Sequence, residues 1–94
     1  MKVTLRKSSR KDKKYVVDVD GVRVHFGQRG APDFTTTGDE ERRSRYIARH
    51  RKRENWGKSG KKTAGFWARW LLWNKKTISA SKKDITKKYG INFV

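Results

Sequence analysis

The run Arg42-Arg-Ser-Arg-Tyr-Ile-Ala-Arg-His-Arg-Lys-Arg53 concentrates guanidinium groups, whose forked donors match phosphate oxygens two at a time. Wound as a helix at about 100° per residue, Arg42, Arg45, Arg49 and Lys52 fall on one stripe, with Tyr46, Ile47 and His50 on the opposite side. The only acids nearby are Asp39, Glu40 and Glu41 at its start and Glu54 at its end, so most of the charge must face water or a polyanion. Arg42, Arg45, Arg49, Lys52 and Arg53 are therefore the expected main contact to a phosphate backbone. Two further groups extend it. Lys58, Lys61 and Lys62 lie on and beside the Gly57-Lys-Ser-Gly60 turn, and Lys7, Arg10, Lys11, Lys13 and Lys14 are expected to act as a mobile basic arm.

Other chemistries find less support. Gly57-Lys-Ser-Gly60 resembles the end of a phosphate-binding loop, but Lys52 stands where that motif needs its first glycine and no strand precedes it, which excludes an NTPase. His25 and His50 are the only histidines, and neither has a second His or a carboxylate at metal-ligand spacing, so neither a metal nor a cofactor is expected. The absence of cysteine removes disulfides, thiolate zinc sites and cysteine nucleophiles together. The nine acids read as turn, cap and ion-pair residues, and no catalytic constellation emerges. The chain is read as a non-enzyme.

The whole sequence agrees with a polyanionic partner. Against those nine acids stand 26 Lys plus Arg, a formal net charge of +17 on 94 residues, which weakens a compact state by self-repulsion unless a partner screens it. A nearly neutral segment, residues 15–38, is flanked by basic ones. A hydrophobic content of 33%, including four Trp, four Phe and three Tyr, favours one small folded domain over residues 1–94, with 7–14 as a basic loop. No apolar run approaches the roughly 20 residues of a membrane span. The residues after Met1 are polar and alternating, unlike a signal peptide, so a soluble intracellular protein with no membrane partner is expected.

The elements that must position these cations are legible in part. Val3 and Leu5 alternate with polar neighbours, which predicts a strand over residues 2–6. Tyr15 to Val19, Asp20-Gly21 and Val22 to Phe26 form a predicted hairpin, Asp-Gly suiting the φ > 0 positions of a type I′ turn. In that register Val19 faces Val22, Val17 faces Val24 and Tyr15 faces Phe26 on one side, with Asp18 opposite Arg23 and Val16 opposite His25 on the other. Residues 27–37 read as a loop ending in a capping box, Thr37 to Glu40, for a basic helix over residues 39–55.

Phe66, Trp67, Trp70, Leu71 and Trp73 recur at helical spacing and predict a helix over residues 64–74, with a fully buried strand as the alternative. Packing against the apolar hairpin face is the expected role of its aromatic side chains, with stacking on exposed bases or wedging into a minor groove as the alternative. Trp56 and Phe34 are left as the most solvent-prone aromatics, placed to touch a base or sugar. A last helix, 81–89, is expected to start at Ser81 with Asp84 completing a capping box, to carry an Ala80 to Ile85 staple, and to end on Gly90. The architecture is therefore expected to be α+β, a small antiparallel sheet packed against about three helices.

At Phe26-Gly27, Asp33-Phe34-Thr35, Arg45 to Trp56 and Thr63 to Asn74, the chain resembles a family of small basic proteins encoded by giant double-stranded DNA viruses. The resemblance spans roughly residues 15–90, with Thr63-Ala-Gly-Phe-Trp to Leu-Leu-Trp-Asn74 its most specific block. It implies an origin in viruses that must compact long genomes, and hence a virion, viral factory or host nucleus. It supplies no site residue. The expected function is an architectural nucleic-acid-binding protein, for double-stranded DNA ahead of RNA. The alternative is an interaction module whose basic face docks on an acidic protein partner.

Overall fold

The computed structural model describes residues 1–94 as a four-stranded sheet and four helices, an α+β fold. Strands β1 (Lys2–Lys7), β2 (Lys13–Val19), β3 (Val22–Gln28) and β4 (Asn92–Phe93) lie in the order β3-β2-β1-β4. The hairpin adopts the predicted register, Val19 against Val22, Val17 against Val24 and Tyr15 against Phe26. Its turn carries φ of 49° at Asp20 and 78° at Gly21, the left-handed pair that a type I′ turn demands. Strand β1 adds antiparallel to β2. The sheet is mixed, however, because β4 pairs parallel to β1, a two-residue strand too short to leave a periodic signal.

One sheet face is closed by the tryptophan-rich segment. Val3, Val17, Val19, Val24 and Phe26 join Phe66, Trp67, Trp70, Leu71, Leu72, Ile85 and Ile91 in a single core. Val22, expected there, is 40% exposed beside the turn. The two layers approach closely at Gly27: its φ is 78°, and a side chain there would meet Leu72 Cδ1 at 2.8 Å and Lys14 at 3.3 Å.

The helices differ from expectation at their ends. Residues 27–37 contain α1 (Phe34–Thr37), capped by a reciprocal box between Asp33 and Thr36. Helix α2 (Glu40–His50) takes Asp39 as its N-cap, accepting from the backbone N–H of Glu41 and Arg42, while Thr37 Oγ1 receives only the Asp39 N–H. It stops at His50, short of the predicted Asn55. Arg51, Lys52 and Arg53 follow with three like charges in a row and no apolar group to bury, so another helical turn has no packing to support it.

The predicted helix over 64–74 is two pieces, α3 (Ala64–Trp67) and a π turn over Ala68–Leu72 closed by Trp73 N–H donating to Ala68 O at 3.1 Å. The wider turn brings Trp70, Leu71 and Leu72 all inside, which an α-helix with its narrower apolar stripe would not do. Helix α4 (Ile78–Tyr89) begins three residues before the predicted Ser81, with Thr77 as N-cap, and ends as expected on a left-handed Gly90. Ser81 is instead fully buried, its Oγ accepting from Lys75 N–H. Asp84 accepts from Asn74 Nδ2 at 2.8 Å, and Ala80 is exposed, so neither the capping box nor the staple forms.

Candidate nucleic-acid interface

Helix α2 stands apart from the core and is held by two devices. Tyr46, 8% exposed, lies in a stack with His50 at 4.3 Å and Trp73 at 4.5 Å, the latter ring within 5° of parallel. Arg43 reaches past it, its Nε donating to the carbonyls of Trp73 at 3.1 Å and Asn74 at 3.0 Å while its guanidinium lies over Phe34. The helix dipole is complemented at both ends, by Glu40 and Glu41 in the first turn and Arg49 in the last.

Arg42, Arg45 and Arg49 share one exposed stripe, as predicted, and they line a cleft of about 540 Å³ rather than an open surface. Residues from the end of β3, from the loop through Pro32 and Asp33, and from the π turn complete the lining. Arg42 and Arg45 sit near Asp39 and Glu41 at 3.6 and 3.5 Å, exposed pairs worth about 0–1 kcal/mol. Arg49 makes no such pair. Lys52 leaves the predicted stripe because the helix has ended, and it follows Arg51 and precedes Arg53 on an exposed turn.

The second group divides. Lys58 and Lys62 are exposed, whereas Lys61 is half-buried and paired with Asp20 at 3.4 Å, its carbonyl accepting from Trp67 Nε1.

The predicted mobile arm is a correction. Lys7 ends β1, Lys13 and Lys14 begin β2, and only residues 8–12 connect them. The connection is tied down: Ser8 N–H donates to Lys14 O, Arg10 N–H to Ser8 Oγ, and the Arg29 side chain to the carbonyls of Ser8 and Lys13. Lys7, Arg10 and Lys11 remain exposed, Arg10 beside Asp12 at 3.8 Å. Lys14 points inward, its Nζ 2.5 Å from both Asp33 Oδ2 and Ala31 O, with the Asp33 side chain only 3% exposed. It neutralises a buried carboxylate and is largely withdrawn from solvent. Lys7, Lys14, Tyr15 and Arg29 line a second, smaller recess of about 280 Å³.

Several side chains that support the arginine-bearing region carried no clear signal in the sequence. Arg69 is wedged between Trp56 and Trp70, 5.4 and 4.4 Å from their ring centres, and donates to Trp73 O. Burial, and then the neighbouring charge of Arg43, lower its pKa from the guanidinium's usual value. An arginine inside an apolar run is the one hint of this role. Phe34 is buried rather than solvent-prone, and Trp56 is half-buried with its carbonyl accepting from Trp70 Nε1 and Tyr89 Oη. Burial pushes the Tyr46 phenol up to about 12, with the Glu54 charge a smaller cause. His50 is held below its ordinary value by burial and then by Arg53. No cluster of three His, Cys, Asp or Glu side chains is placed to hold a metal ion, and no helix is long and apolar enough to cross a membrane.

Residues 3–50 match the model of a family of unknown function, DUF5754. The chain belongs to that family. The match runs from β1 to the last residue of α2, so it includes the whole hairpin sheet and the arginine stripe, while the tryptophan-rich cover lies beyond it. No curated protein and no solved structure matches the chain.

Proposed function

We propose that this protein binds nucleic acid through backbone phosphates, with double-stranded DNA as the favoured partner, and acts without catalysing a reaction. One observation carries the reading: Arg42, Arg45 and Arg49 converge on one cleft from a helix whose following turn, Arg51 to Arg53, is also exposed and cationic. Their carboxylate neighbours are weakly held, and the strongly committed cations, Lys14, Arg43 and Arg69, are bound up in the fold. The resemblance of residues 15–90 to small basic proteins of giant DNA viruses supports a role in compacting or packaging a genome.

The test is a salt titration. Replacing Arg42, Arg45 and Arg49 together with Gln is expected to flatten the plot of log affinity against log salt by about 0.9 for each phosphate that is no longer neutralised. Competition between duplex DNA, duplex RNA and single strands assigns the class of nucleic acid. Absence of binding at low salt would overturn the reading and turn attention to an acidic protein partner.

A further inference from the structure

The cleft beside α2 is not shaped like a stripe for a continuous duplex. It is concave, and its volume of about 540 Å³ falls inside the roughly 300–1,000 Å³ of small-molecule sites. Its lining is chemically two-sided. Arg42, Arg45 and Arg49 supply cations, whereas Ala68 and Trp73 from the π turn supply apolar and aromatic surface. Trp73 is half-buried and its ring stacks on Tyr46, in a stack that continues to His50, and all three line the cleft. Phosphates on the convex ridge of a duplex can satisfy the arginines but leave such a hollow unfilled. Among the cations of the cleft, Arg42, Arg45 and Lys14 each have a carboxylate partner, and Arg49 has none.

We infer that the cleft seats one unpaired nucleotide, its phosphate on Arg49 and its base against Trp73 and Ala68. The inference rests on the nucleic-acid reading and adds to it a preference for a nucleotide out of the helical stack. Every base has a π face, so the seat tolerates any sequence. The neighbouring arginines and the exposed turn that follows them hold the flanking phosphates.

The full chain is to be titrated by fluorescence anisotropy with three labelled DNA probes: a fully paired duplex, the same duplex with one bulged adenosine, and the same bulge made abasic. The bulged base is expected to bind about 5- to 150-fold tighter than the other two, which is what stacking of one base on an aromatic side chain yields. Ala68→Met narrows the cleft at the wall of the seat and is expected to erase that preference. Arg49→Gln, at an exposed position, is expected to weaken the bulged probe more than the paired one. Equal binding of all three probes, or of the bulged and abasic probes, overturns the seat and leaves the nucleic-acid reading standing. Binding of no probe overturns both. A preference for the bulged base that survives both variants overturns this placement of the seat.

Discussion

The body of the molecule and its basic wing are held by different physics. In the body, the hairpin sheet and the tryptophan-rich segment bury valines, phenylalanines and tryptophans in one contiguous core. The wing, α2, contributes a single buried residue, Tyr46, and is otherwise secured by a ring stack and the reach of Arg43 to two backbone carbonyls. Apolar burial in one contiguous core is cooperative, whereas a helix held by one stack and one arginine can loosen alone. The contrast separates two jobs for positive charge: Lys14, Arg43 and Arg69 hold the fold, and Arg42, Arg45, Arg49 and the Arg51 to Arg53 turn face outward.

The strongest attack on the contrast is at the core. Phe66→Ala removes a fully buried ring and is expected to cost about 3–5 kcal/mol, measured as a lowered urea midpoint reported equally by sheet and helix signals. A midpoint shift confined to helix signals would mean that the body is not one cooperative unit.

Next in size is Lys14→Met, which strands the Asp33 carboxylate without a counter-charge. A stability loss of about 1–3 kcal/mol is expected, reduced from that of a fully buried pair because Lys14 keeps some solvent contact. The slope of DNA affinity against salt should not change, unlike that of the α2 triple variant. An unchanged stability with a flattened slope would return Lys14 to the interface.

The smallest effect sharpens the view of the wing. Because the Tyr46 pKa is raised in the folded protein from 10.0 to about 12, its contribution to stability is complete below pH 10 and is lost as pH rises through about 12. Tyr46→Phe should move the alkaline loss of α2 helicity, followed by circular dichroism beside phenolate absorbance, to higher pH. Coincident curves for the two proteins would mean that Tyr46 ionisation does not release the wing.

Local chemistry with a single solution was legible in the sequence. Asp20-Gly21 admits one turn type and one register, and every predicted pair across it is present. Gly90 likewise ends its helix as read. What stayed hidden depends on the third dimension. Lys13 and Lys14 are adjacent and identical in type, and only the Asp33 side chain, brought in by a loop 19 residues on, withdraws Lys14 from solvent. Thr77 and Ser81 are both sound N-caps, and the choice falls to Thr77 because Ser81 Oγ is needed to satisfy a buried-side Lys75 N–H. The arginine stripe was correct in its helical part, but its enclosure as a cleft required Pro32, Asp33 and the π turn to arrive from other parts of the chain.

The pairing of β4 with β1 has a consequence for the order of assembly. Asn92 N–H donates to Met1 O at 2.8 Å and Val94 N–H to Val3 O at 2.9 Å, so the two ends of the sequence are zipped together. Closing the long loop between β1 and β4 carries an entropic cost that local pairings such as the β2–β3 hairpin do not. During synthesis the edge of β1 therefore waits for its partner until residues 92–94 emerge. Until then the half-built sheet offers an open strand to any neighbouring chain.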